Sequence, residues 1–104
     1  MPSSYAIEAE GDLVDIYLYL DDQSPEAARL MIGKIRARCL SLADHPRRGV
    51  VLSVRRDTEV RRILEYPFII VYACSDELVS IIRILHGARD FQNLLDSVIG
   101  KDPD

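Results

Sequence analysis

Apolar positions change period once along this chain, and the change separates two kinds of structure. From Ala9 to Leu20 they recur at helical spacing, at Ala9, Leu13, Ile16, Tyr17 and Leu20, with acids between them. Early acids in that stretch suit the positive end of a helix dipole. Asp21-Asp22-Gln23 reads as a turn. Ser24-Pro25-Glu26 reads as a helix start, with Ser as cap, Pro in the first turn and Glu behind it. A second stripe follows at Ala28, Met31, Ile32, Ile35, Cys39 and Leu42, with Lys34, Arg36 and Arg38 largely off it. Pro46 disfavours helical geometry in the residue before it, so this helix is expected to stop near Asp44-His45. The short connection makes the two helices an antiparallel hairpin.

After Gly49 the period becomes two. Val50, Leu52 and Val54 alternate with Val51, Ser53 and Arg55. Further strands are predicted at Val60 to Glu65, Phe68 to Cys74 and Leu78 to Leu85, broken at Tyr66-Pro67 and at Ser75-Asp76-Glu77. The runs around Phe68–Tyr72 and Val79–Leu85 are β-branched and aromatic, as central strands tend to be. Short connections imply an antiparallel meander of about four strands. Residues 2–6 admit a short extra strand in front. Arg89 to Val98 admits a last helix, with Phe91, Leu94, Leu95 and Val98 inward. The predicted class is α+β in two layers, a helical hairpin on an antiparallel sheet. A single domain over residues 1–99 and a disordered tail at 100–104 are expected.

Composition narrows the classes. No apolar run approaches the roughly 20 residues of a membrane helix. The first residues lack a basic stretch followed by an apolar one, so a cytoplasmic protein without membrane contact is expected. Cys39 and Cys74 lie far apart in apolar surroundings and fit reduced core thiols. With His45 and His86 they make a poor zinc set, so neither metal nor cofactor is expected. Net charge is −4, unevenly spread. Residues 1–26 hold seven acids and no Lys or Arg, whereas residues 47–62 hold six arginines against Asp57 and Glu59. The balance argues against a general or sequence-specific nucleic-acid binder. The basic block leaves a local anionic contact open, and otherwise reads as a charged sheet edge.

Candidate chemistry gathers at Ile81–Asp90, where an apolar strand ends in His86, Arg89 and Asp90 with Gly87 as a hinge. His86 has the chemistry of a general acid or base, and Arg89 that of a phosphate clamp. The structural alternative pairs Arg89 with Asp90 or with an acid of the first helix. Arg61 and Arg62 are adjacent on a strand and point to opposite faces, so one of them reaches toward His86 only if their strands are neighbours. Tyr66, Phe68 and Tyr72 offer stacking surfaces or, more commonly, core. Tyr5, Tyr17 and Tyr19 are expected at the seam between helices and sheet. Asp12 and Asp15, three apart, read as a solvated helix face.

The ordered set of segments resembles a known family. It comprises Ala9-Glu10-Gly11-Asp12-Leu13-Val14-Asp15-Ile16 with Tyr19-Leu20; Ser24-Pro25-Glu26-Ala27-Ala28; Leu42-Ala43-Asp44-His45-Pro46 with Gly49; Arg61 ahead of Phe68-Ile69-Ile70-Val71-Tyr72; and Ile81 to Asp90. Together, over roughly Ala9 to Leu95, these resemble the ParE toxins of toxin–antitoxin modules, within the RelE/ParE superfamily of plasmid stabilisation proteins. The resemblance implies a gyrase inhibitor without a catalytic site of its own, neutralised by a small ParD-like antitoxin with a ribbon-helix-helix end. Its contact candidates are Arg61, Arg62, His86 and Arg89. RelE-like relatives instead cut mRNA in the ribosome, and that alternative would use Arg61, Arg62, Arg83, His86 and Arg89. The sequence has no tyrosine beyond Tyr72, where such ribonucleases commonly carry one, and its net charge is acidic. An attenuated toxin that only binds antitoxin is the third alternative. The antitoxin is expected on the outer face of the hairpin and on exposed sheet.

Overall fold

The computed structural model describes residues 3–87 and residue 90. The final helix expected from Arg89 to Val98, the tail and Arg89 itself lie outside the described residues. The chain opens with β1 (Ser3–Tyr5), followed by α1 (Ile7–Asp21) and α2 (Pro25–Ser41). Four strands follow: β2 (Val50–Arg55), β3 (Thr58–Glu65), β4 (Phe68–Cys74) and β5 (Val79–His86).

Local signals fix the helix ends. Ser24 is extended, and its hydroxyl accepts from the Ala27 N–H at 3.2 Å, satisfying one of the open donors of the first turn. Pro25 occupies a position where its missing N–H removes nothing. Past Leu42, turns carry the chain through Asp44 and His45, whose amides both return to the Ser41 carbonyl. The start of α1 has no side-chain cap. Instead the Ala6 N–H, just before it, donates to Ile81 O of β5 at 2.8 Å, which pins the helix entrance to the sheet.

Among the described residues the sheet runs β1-β5-β4-β3-β2. The last four strands form the expected antiparallel meander, but β1 pairs with β5 in parallel, so the sheet is mixed. A three-residue strand has no side-chain period that encodes direction. Its orientation follows from the path of the hairpin, which must leave β1 and return to the far edge.

Helices cover one sheet face. Leu13 and Ile16 of α1 and Ile35 and Cys39 of α2 meet Phe68, Ile70, Tyr72, Cys74, Val79, Ile81 and Ile84 in one cluster. Ile69, Val71 and Leu85 form a second buried cluster on the other face, with Leu52, Val60 and Ile82 packed against it. β4 is therefore apolar on both faces, which accounts for its unbroken hydrophobic run. Both cysteines are free and buried. Tyr17 departs from the inward stripe expected of it and stands at the helix surface.

Two glycines have steric roles. A Cβ on Gly49 would lie 2.5 Å from Arg62 O and 2.6 Å from the Tyr72 hydroxyl. Gly87 has φ of +56° and carries the chain out of β5, as its position after the strand predicts.

Candidate functional site

Arg83 is engaged in a structural clasp. Its Nε and Nη2 donate to Asp12 of α1 at 2.7 and 2.9 Å, a bidentate pair. Asp12 Oδ2 also accepts from the Ile84 N–H at 2.8 Å. One carboxylate therefore ties helix to strand through a charge and a backbone group. This hydrogen bonding raises the Arg83 pKa further above its already high ordinary value. The solvated role expected for Asp12 is thus corrected. Sequence periodicity misses the pair because its members are 71 residues apart.

Arg61 is equally committed. It donates to Arg47 O at 2.8 Å and to Gly49 O at 2.6 Å, and its Nε and Nη2 grip Glu59 Oε1 at 2.8 Å. Only 12 % of its side chain is exposed. Those bonds, followed by the nearby positive charges, hold the Glu59 carboxyl below the usual carboxylate range. Arg47 joins Glu59 at 3.4 Å and Asp76 at 3.3 Å. Beneath this network the buried Tyr72 hydroxyl donates to Pro46 O at 2.7 Å and accepts from the Gly49 N–H at 3.0 Å, while desolvation raises its pKa. These groups fasten the loop after α2 to the sheet. Arg62, opposite Val71 and Val50, belongs to the other face.

His86 stands at the opposite end of the sheet. Its ring lies edge-on to Phe68, with centroids 5.2 Å apart, and to Tyr19 of α1 at 6.4 Å. It lines a cavity of about 350 Å³ with Leu64, Tyr66, Pro67, Ile69 and Gly87. Tyr66, 86 % exposed, forms the outer wall, and the Tyr66–Pro67 peptide is cis. The condition under which Arg61 or Arg62 would reach His86, adjacent strands, is not met. Their strands are separated by β4, and the partners of Arg61 and His86 there, Tyr72 and Phe68, stand four residues apart. That is roughly 13 Å along the strand, with two strand spacings to cross as well.

The hairpin, whose outer face the sequence marks as a candidate partner surface without identifying its residues, carries a groove between its two helices. Tyr5, Glu10, Leu13, Val14, Tyr17, Ile32 and Arg36 line a cavity of about 440 Å³ there. Arg36 lies 5.7 Å above the Tyr5 ring, and burial with the neighbouring Cys39 raises the Tyr5 pKa to about 12. Val14, 57 % exposed, and Leu18 and Tyr17 beside it are apolar surface off the core stripe of α1. That surplus is the signal available in the sequence. Among the described residues no cluster could hold a metal ion, and no helix is long and apolar enough to cross a membrane.

Comparison with known proteins adds family evidence. The family described as ParE toxin of type II toxin-antitoxin system, parDE, matches residues 4–91. Toxin RelE2 of Caulobacter vibrioides is 36 % identical over 81 residues, covering 78 % of this chain and 89 % of that protein. Among solved structures, the chromosomal ParDE system from P. aeruginosa superposes with a TM-score of 0.65 at 21 % identity, covering 84 % of this chain and 96 % of that one. The archaeal RelE–RelB complex from Pyrococcus horikoshii OT3 gives 0.56 at 15 % identity, covering 85 % and 96 %. These two establish likeness of fold. By the match across residues 4–91 and the identity to the Caulobacter toxin, the chain belongs to the ParE toxin family of type II toxin–antitoxin systems.

Proposed function

We propose that this toxin acts by binding, with DNA gyrase as its target and a ParD-like antitoxin as its neutralising partner. One observation carries the choice between binding and RNA cleavage. Two of the cations a ribonuclease would need are occupied within the protein, Arg83 by Asp12 and Arg61 by Glu59 and two backbone carbonyls. A general acid–base site needs its charged groups directed at one phosphate. Here Arg61 and His86 belong to opposite ends of the sheet. The acidic net charge also disfavours docking on a polyanion.

The hairpin groove supports the antitoxin half of this reading. It offers Leu13, Val14 and Ile32 as an apolar floor, with Glu10 and Arg36 at its rim. Such a surface fits one face of an amphipathic segment that folds as it binds. The test is supercoiling of relaxed plasmid by gyrase, with and without the purified chain, beside an in vitro translation reaction. Loss of supercoiling with accumulated cleaved DNA is the expected result. Untouched gyrase with mRNA cleavage, abolished by His86→Ala, would replace this reading with the ribonuclease.

A further inference from the structure

The β2–β3 connection carries a feature that neither the clasp nor the grooves use. Arg55 pairs with Thr58, so Arg56-Asp57 is a two-residue loop. Arg56 has φ of +56°, the only non-glycine at positive φ among the described residues. In a hairpin loop with positive φ at its first position alone, glycine is the usual occupant, because a side chain there strains the backbone. A residue kept in strained geometry points to a use for its side chain.

The surroundings indicate what that use is. Arg55 and Arg56 are both exposed, and no hydrogen bond or ion pair holds Arg56 to the described residues. At the other end of the basic block, Arg47 and Arg61 are neutralised by Glu59 and Asp76. At the tip itself Arg55, Arg56 and Asp57 sum to a formal charge of +1, and Arg56 is the cation there that the fold leaves extended into solvent. Beside the tip, edge strand β2 exposes Val51 at 44 % and Val54 at 59 %. Their cross-strand partners, Arg61 and Glu59, place both valines on the sheet side that faces the helices. Arginine is enriched in protein interfaces, and the two valines beside it offer apolar area that a partner can bury.

We propose that the β2–β3 tip, with Arg56 as its cation and Val51 and Val54 beside it, is the arm that contacts the toxin's protein target at a carboxylate-bearing patch. A protein fits better than a nucleic-acid backbone. The tip, Arg55-Arg56-Asp57, carries a net charge of only +1, while the chain outside residues 47–62 carries a net charge of −8 that would repel a polyanion. The proposal rests on the toxin reading but not on gyrase being the target.

The test compares wild type with Arg56→Gly, Arg56→Lys and Arg56→Ala. Melting temperature is measured on purified proteins, and potency is read as the inducer level that halts growth of a bacterial host. Arg56→Gly should melt a few degrees higher, yet need at least tenfold more inducer for arrest. Arg56→Lys should keep potency within about threefold, and Arg56→Ala should lose it. A merely strained loop would gain stability at no loss of potency. The proposal is overturned if Arg56→Gly keeps wild-type potency, if Arg56→Lys loses as much as Arg56→Gly, or if wild type arrests nothing. Binding of a short DNA duplex by wild type that disappears in Arg56→Gly would overturn the protein target in favour of a nucleic-acid one. A supercoiling assay run alongside separates the two readings. Arrest without gyrase inhibition removes gyrase, and leaves the tip to be judged on arrest.

Discussion

At the scale of single residues, side chains that look catalytic in the sequence act as fasteners, and each can be removed with a defined result. Asp12→Ala would leave Arg83 without its bidentate partner and the Ile84 N–H without an acceptor. The pair is only partly buried, so the expected loss is about 2–3 kcal/mol, below that of a fully buried charge. Chemical denaturation would check it, and a loss within 0.5 kcal/mol would make the clasp incidental. Gly49→Ala is expected to cost about 2–3 kcal/mol, because the new methyl meets the Arg62 carbonyl and the Tyr72 hydroxyl, both held in place. Gly11 provides the control. It has open space where its Cβ would be and lies inside α1, so Gly11→Ala should stabilise by about 0.5–1 kcal/mol.

At the scale of elements, the sequence reveals what is repeated locally and hides what depends on meeting. β4 was readable to its last residue, because an apolar β-branched run between Pro67 and Ser75 has a single plausible reading. The second helix was readable from Ser24 and Pro25, whose cap and missing N–H mark its start. The direction of β1 was not readable, nor was the partner of Arg83, since both depend on which distant segments the hairpin brings together. Of the candidate site, His86 stands at a strand exit, as its place after the apolar run predicts, whereas strand order, which local pattern does not encode, puts β4 between it and both Arg61 and Arg62. Tyr17 sits on the predicted inward stripe yet at the surface, because the first helix carries more apolar positions than its core needs. That excess makes the hairpin groove testable. Val14→Glu places a charge on an exposed groove wall, so stability should change by no more than about 0.5 kcal/mol. Antitoxin affinity, measured calorimetrically, should fall at least tenfold, and an unchanged affinity would move the antitoxin to another surface.

At the scale of the whole molecule, titrating groups set the range in which the toxin stays folded. On the acid side, hydrogen bonds from Arg61 depress the Glu59 carboxyl. A depressed acid stabilises the fold above its unfolded value of about 4.5, and that contribution fades as pH falls through its folded pKa. On the alkaline side the sign reverses. Burial raises Tyr5 to about 12 and raises Tyr72 as well, so both stay neutral in the fold where the unfolded chain would ionise. Their contribution is complete below pH 10 and is lost as pH climbs from 10 through the folded values. Urea midpoints measured across pH should therefore form a plateau with a fall at each end. Glu59→Gln should flatten the acid fall and leave the alkaline one. Tyr5→Phe removes a phenol that would have to ionise, so it should flatten the alkaline fall and leave the acid one. Tyr72→Phe should do the same, but from a lower plateau, because Pro46 O and the Gly49 N–H lose their partner at every pH. An alkaline fall that survives both tyrosine variants would shift the cause to Cys39 and Cys74, whose thiols burial also raises.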